Sequence, residues 1–299
     1  MQQLSLFFCL SPAGSSACVT LAEVRQRRPD VPLVIADGLG VNSTTLLIQL
    51  ARTGVRPDLI LFADTGSEKP ETYAYLEIRW SWLRRVGFPD LIVVRRRGVR
   101  VPDQSLEDQC LRTGTLPSLA YGGKSCSLKW KVAPQGKFCN HWEPALWCWR
   151  SGQRVVKAIG YDAGPSDGRR IKEFRDPKYR FWYPLREFGL DRAACIDLVR
   201  SEGLSIPCKS ACFFCPATKK PELVQLHSEH PDLLERALAI ERRALPNLRS
   251  VQGLGRNFAW TRWLSQQPNL ISKEVASNGD SGTTLLLSAD TDRAAACRQ

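Results

Sequence analysis

Several absences narrow this chain before any motif does. No apolar run approaches the roughly 18–20 residues needed to span a bilayer. The nearest thing to a secretory h-region, LSLFFCL at 4–10, is short and has no basic residue ahead of it. The expectation is an intracellular, cytoplasmic protein with no membrane partner. Histidine is scarce, with three in 299 residues. His227 and His230 share a polar helical stretch with metal-compatible spacing but read better as a solvated pair, and His141 reads as structural. No internal repeat exists, which excludes solenoids and propellers. Acidic residues are also short, 30 against 42 Lys and Arg, for a net charge of +12. The surplus gathers in Arg25, Arg27 and Arg28, in Arg84 and Arg85, in Arg95 to Arg97, in Arg169 and Arg170, and in Lys219 and Lys220. Such a balance favours polyanions, either nucleic acid or phosphorylated small molecules. Nothing in the sequence fixes an oligomeric state.

Glycine and hydroxyl residues, by contrast, are concentrated in two places. VPLVIAD (31–37) reads as an apolar strand that feeds Gly38, Gly40, Asn42, Ser43, Thr44 and Thr45, after which helix-period residues begin at Leu46. PDLILFAD (57–64) feeds Thr65, Gly66 and Ser67, with Pro70 at a helix start. A strand–turn–helix unit exposes backbone N–H groups at the positive end of a helix dipole, where phosphate binds. Two such turns on adjacent parallel strands would sit side by side in the ligand crevice of an open α/β sheet. Arg169 and Arg170 follow a Gly-rich turn at the end of a fourth strand and are candidate clamps for phosphate or sulfate.

The order of elements predicts an α/β fold: an open, twisted parallel sheet with helices on both faces. Strand, helix, strand, helix, strand run from 31 to about 97, with ETYAYLEIRWSWLRRVG (71–87) and LIVVRR (91–96) as the last two. Residues 98–152 are mixed, with a helix expected at 137–149. RVVKAIGY (154–161) and FWYPL (181–185) read as further strands and DRAACIDLVRSEG (191–203) as an amphipathic helix. The expected organisation is an N-terminal extension (1–30) with a short helix near 20–28, a nucleotide-binding α/β domain (31–205), a Cys-rich helical metal-binding region (206–266), and a polar, disordered tail (267–299).

The 11 cysteines are unevenly spread, which in a chain without an export signal suggests metal or redox chemistry more than disulfides. Cys208, Cys212 and Cys215 form a C-x3-C-x2-C run closed by Pro216. Cys126, approached through Gly122 and Gly123 and flanked by basic residues, is the best fourth ligand, with Cys139 in reserve. Four thiolates suit a 4Fe–4S cluster or tetrahedral zinc. Cys9, Cys18, Cys110, Cys148 and Cys195 read as small buried hydrophobes. The nine tryptophans read mostly as core or interface.

The two turns resemble those of the PP-loop family of ATP pyrophosphatases and adenine-nucleotide alpha hydrolases, and most of all the branch typified by phosphoadenosine phosphosulfate (PAPS) reductase. Asp64, Thr65, Gly66, Pro70, Glu71, Thr72 and Tyr73 reproduce that branch's D-T-G…P-E-T-Y segment. In the first loop Gly40 and Ser43 match the family's SGGxDS pattern, whereas Gly38, Leu39 and Asn42 stand where it has Ser, Gly and Asp. The match covers roughly residues 31–218. No E-C-G-x-H segment follows, so simple sulfate reduction is not expected. The resemblance implies an enzyme that adenylates an acceptor oxygen with ATP and Mg²⁺ for sulfur or group transfer, with nucleic acid as a candidate acceptor and a sulfur-donor protein as a candidate partner. Ser43 would donate to phosphate and Asp64 would meet ribose, base or Mg²⁺. Cluster-bearing relatives favour iron–sulfur over zinc. The alternative is a non-catalytic nucleotide- and nucleic-acid-binding component of a larger system, kept open by Leu39 and Asn42.

Overall fold

The computed structural model describes residues 18–97, 103–171, 176–255 and 257–267. Cys9, Cys297 and the tail expected to be disordered, Gln267 apart, lie outside the described residues. Among them, six strands form one all-parallel sheet: β1 (Cys18–Val19), β2 (Leu33–Asp37), β3 (Leu59–Asp64), β4 (Leu91–Arg95), β5 (Val155–Ile159) and β6 (Tyr179–Trp182). Their order is β1-β6-β5-β2-β3-β4. β2 and β3 are buried along almost their whole length, as strands covered by helices on both faces must be. This is the expected doubly wound α/β fold.

Residue chemistry places the helices. Val41–Arg52 sets Leu46, Leu47, Ile48 and Leu50 into the core. Pro70–Arg85 starts on a proline, whose fixed φ suits the first helical turn. Arg192–Ser201 is capped by Asp191, whose carboxylate accepts from Ala194 N at 2.9 Å, and it packs on Val41–Arg52. From β2 the chain moves outward one way through β3 to β4. It later returns to β2's other side with β5 and continues outward through β6. The direction reverses between β2 and β5, so the topological switch point lies there.

A second core lies beside the sheet. Leu106, Cys110, Trp130, Phe213, Phe214, Leu226, Ile240 and Trp260 belong to it. Its helices include Leu106–Thr113, Lys220–Glu229, Pro231–Ala244 and Trp260–Ser265. Glu241, fully buried, accepts from the backbone N–H groups of Leu254 (2.6 Å), Trp260 (2.9 Å) and Thr261 (2.8 Å), which closes the last helix onto this lobe.

The boundaries differ from expectation in three places. The helical lobe draws on residues 106–130 as well as 212–264, because Trp130 and Cys110 bury into it rather than into the sheet domain. The helix expected at 137–149 is two, Ala133–Cys139 and Glu143–Arg150. The N-terminal region supplies a strand as well as the expected short helix (Leu21–Arg25), since Cys18–Val19 pair with Phe181–Trp182.

Candidate nucleotide site and thiol centre

β2 and β5 pair as far as Ala36 and Ile159, so the turns that follow emerge side by side. They border a cavity of about 520 Å³ that also spreads over the sheet face. Its floor includes Ala36, Phe62, Ile159 and Phe181, and its wall includes Gly38, Gly40, Asn42 and Ser43. Four of the predicted residues thus lie together at the switch point.

The first turn is held from several sides. Leu39 N donates to Asp37 Oδ1 at 2.7 Å, and Leu39 adopts φ +57°, a left-handed conformation that costs an L side chain. Behind it Arg79 Nε lies 2.9 Å from Asp37 Oδ2, both side chains fully buried, while Arg79 Nη2 donates to Thr44 Oγ1 at 2.6 Å. Thr44 is therefore inside the protein, supporting the loop and not lining the cavity. Ser43 Oγ accepts from Gly40 N (3.2 Å) and donates to Gly40 O (3.1 Å). Asn42 Nδ2 donates to Asp162 Oδ2 (3.0 Å) and Asp167 Oδ2 (3.1 Å), and its Oδ1 accepts from Arg192 Nη1 (2.9 Å). The Asn42 amide thus gathers two carboxylates, one of which, Asp167, lines the cavity.

Among the described residues five cations line the same cavity: Lys131, Lys157, Arg170, Arg192 and Lys209. Arg170 matches the sequence reading; it pairs with Asp167 (2.9 Å) and its guanidinium stacks 4.2 Å above the Tyr161 ring. Arg169 does not line the cavity. Lys157, on the central strand β5, is only 8% exposed, and among the described residues no carboxylate pairs with it. Burial lowers its pKa, opposed in part by Cys139 and Asp176. Lys131 lies within a π-helical turn, Leu128–Val132, and its ammonium is 2.9 Å from Glu68 Oε1. Burial alone would lower its pKa, but Glu68 and then Cys212 outweigh that and raise it. Sequence reasoning missed both lysines. A lone Lys inside the apolar run V-V-K-A-I was the one available signal.

The second turn faces elsewhere. Asp64 is buried with all its oxygens engaged: Oδ1 accepts from Gly66 N (2.7 Å) and Tyr73 OH (2.9 Å), Oδ2 from Arg95 Nε (2.7 Å). It borders a separate cavity of about 810 Å³, with Tyr73, Trp80 and Arg95, and not the one at Gly38–Ser43. Thr65 is buried, and a Cβ on Gly66, at φ +69°, would lie 2.9 Å from Ser105 Cβ. These residues anchor the turn to the helical lobe.

The cysteine run is laced to this turn. Glu68 and Cys212 form an isolated antiparallel bridge, Phe213 N donates to Ser67 O at 3.0 Å, and Cys212 Sγ shares a hydrogen bond with Thr65 Oγ1 at 3.3 Å. Cys215 N donates to Cys212 O at 3.0 Å, which closes a tight turn. Burial raises the Cys212 thiol pKa, and Glu68 raises it further. Burial also raises that of Cys215, with Cys126 near enough to add to the effect. Cys126 packs against the second core that contains Cys212. Cys208 borders a small neighbouring cleft with Lys69, Glu71 and Glu222. Among the described residues no three thiol sulfurs lie within 4.8 Å of one another. Cys110, Cys148 and Cys195 are buried as expected; Cys18 is half-buried. Cys139 belongs to the main core and not to the lobe that holds Cys212. Burial pushes the Cys110 thiol up to about 12.

No helix among the described residues is long and apolar enough to cross a membrane. No family model and no curated protein matches the chain. Among solved structures, the U34-tRNA thiolase NcsA from Methanococcus maripaludis, with its 4Fe-4S cluster, aligns over 83% of this chain and 86% of that one. The identity is 12% and the TM-score 0.34, too low to bear on function, and the fold assignment rests on the strand order above.

Proposed function

We propose that the switch-point cavity binds an adenine nucleotide and that the chain is a PP-loop-type, PAPS reductase-like enzyme that adenylates an acceptor oxygen for sulfur or group transfer. The observation that carries this reading is the cavity itself: an apolar floor able to take a base, a helix N-terminus at Gly40–Ser43, and five cations for phosphates. In this scheme the acceptor oxygen attacks the α-phosphorus of ATP and the α–β bridging bond breaks. Pyrophosphate departs with the bonding electrons, and a sulfur nucleophile from a donor protein later displaces AMP. Lys131, Lys157 and Arg170 neutralise the charge that builds on the departing phosphates, an electrostatic contribution fixed before reaction. Mg²⁺ would accompany the triphosphate, and Asp167, a carboxylate on the cavity wall, would be available to hold it. Asp64 holds the second turn in shape through Tyr73 and Arg95. Nucleic acid is the proposed acceptor, in keeping with the +12 charge.

Cys126, Cys208, Cys212 and Cys215 are proposed to hold a 4Fe–4S cluster. The donor set fits. Cys212 and Cys215 share one tight turn and Cys126 packs against the same core, so three of the four thiols belong to one region. When bound, the cluster would supply a site for holding or passing sulfur.

One observation favours a second reading, a non-catalytic nucleotide-binding component: Asn42 spends its amide on Asp162, Asp167 and Arg192 and offers no carboxylate of its own. Pyrophosphate release from ATP, measured with RNA and DNA oligonucleotides as acceptors, separates the two. Release that depends on acceptor supports the enzyme; ATP binding with no release supports the component. Calorimetry that finds no affinity for ATP, AMP or PAPS defeats both.

A further inference from the structure

Two carboxylates and an imidazole meet where the helical lobe joins the sheet domain. Glu71 is the second residue of the Pro70–Arg85 helix, Glu229 ends Lys220–Glu229, and His230 links it to Pro231–Ala244. One donor atom from each lies within 4.8 Å of the other two, and His230 Nε2 is in direct contact with Glu71 Oε1. The chain holds 42 Lys and Arg, yet among the described residues neither carboxylate forms an ion pair with any of them. Oε2 of Glu71 is buried and accepts no hydrogen bond. Glu229 accepts only from the Gln225 amide among the described residues, at 3.1 Å to each oxygen. His230 and Lys69 bring positive charge to Glu71, yet Glu71 Oε2 stays without a donor and Glu229 holds only the Gln225 amide, so acceptor atoms remain open to a cation.

We infer that Glu71, Glu229 and His230 bind a divalent transition-metal ion of the zinc or manganese class. One nitrogen and two carboxylates are a donor set suited to such ions, and three protein ligands leave room for water. The ion joins the helix that follows the second turn to the hinge between two lobe helices, so it fastens lobe to sheet. None of the three residues lines the nucleotide cavity, and the proposal stands whether or not the enzymatic reading does.

Mn²⁺ is the appropriate probe, because thiolates prefer softer ions and carboxylate–imidazole sites do not. The full chain, without nucleotide, is titrated with Mn²⁺ and free ion is followed by electron paramagnetic resonance. The expected result is one ion per chain and a higher melting temperature. Glu71→Gln and the exposed-site variant Glu229→Gln should each weaken uptake roughly tenfold or more, at least the loss seen when only an outer-shell partner is removed. Cys212→Ser and Ser43→Ala should leave uptake unchanged. Circular dichroism checks that each variant folds, and Glu229→Gln, at an exposed residue, keeps the test open if Glu71→Gln does not. The proposal is overturned by absence of saturable uptake, by uptake in both Glu variants as tight as in the unmodified chain, or by loss of uptake in Ser43→Ala, which would place the ion at the nucleotide loop.

Discussion

At Leu39 two opposing terms decide which residue the loop tolerates. A left-handed backbone costs an L residue about 1–2 kcal/mol, and glycine would avoid that. Burying the leucine side chain, 1% exposed, is worth about 1.5–3 kcal/mol. Burial wins, so Leu39→Gly should destabilise the protein by about 1 kcal/mol, seen as a lower urea midpoint; a stabilised variant would contradict the argument. Gly160 is the opposite case. A Cβ there would lie 3.0 Å from Asn42 C and O and 3.2 Å from Ser43 N, backbone atoms that cannot step aside. Gly160→Ala should push the first turn out of place and weaken ATP binding roughly tenfold, about 1.4 kcal/mol. Unchanged affinity by calorimetry would mean that this turn is not the phosphate site.

Among elements, the link that matters most runs from the Pro70–Arg85 helix to β2. Arg79 crosses from that helix to Asp37 at the end of β2 and to Thr44 in the helix after the loop, with both charges fully buried. Breaking such a pair leaves one buried charge uncompensated, which costs about 3–5 kcal/mol, whereas removing both charges together is often close to neutral. Arg79→Met should therefore lower unfolding free energy by about that much, and Arg79→Met with Asp37→Leu should recover most of the loss. Chemical denaturation of the two variants checks it. If the double variant is no more stable than the single one, the pair is not what holds the loop to the sheet.

The whole molecule carries a charge of +12. If this surplus holds nucleic acid, log affinity falls linearly with log salt at about 0.7–0.9 per phosphate neutralised. Fluorescence anisotropy of a labelled oligonucleotide across a salt series measures the slope. A flat response would point to a small-molecule acceptor. Arg170→Ala, which removes a cation from the cavity wall, should weaken ATP more than it changes this slope.

The sequence by itself determined the parallel α/β class and the two strand–turn–helix units, because apolar period and turn chemistry are local and need no partner to be read. It also placed Cys212 and Cys215 in one tight turn, since they are three residues apart. Tertiary structure decided what those units face. Asp37 and Asp64 occupy equivalent strand ends, yet Arg95 and Tyr73 draw Asp64 to a different cavity. Asn42 meets Asp162, Asp167 and Arg192 across 120 to 150 residues of chain, and no local pattern encodes such a meeting. Lys157 became a cavity residue only through the side of the sheet its strand presents there, and Lys131 only through a turn held between Glu68 and the thiols. A two-residue strand such as β1 has no period to detect; pairing with β6 alone makes it one. Periodicity along a chain fixes which elements form, while the partner of each side chain depends on which distant elements pack together.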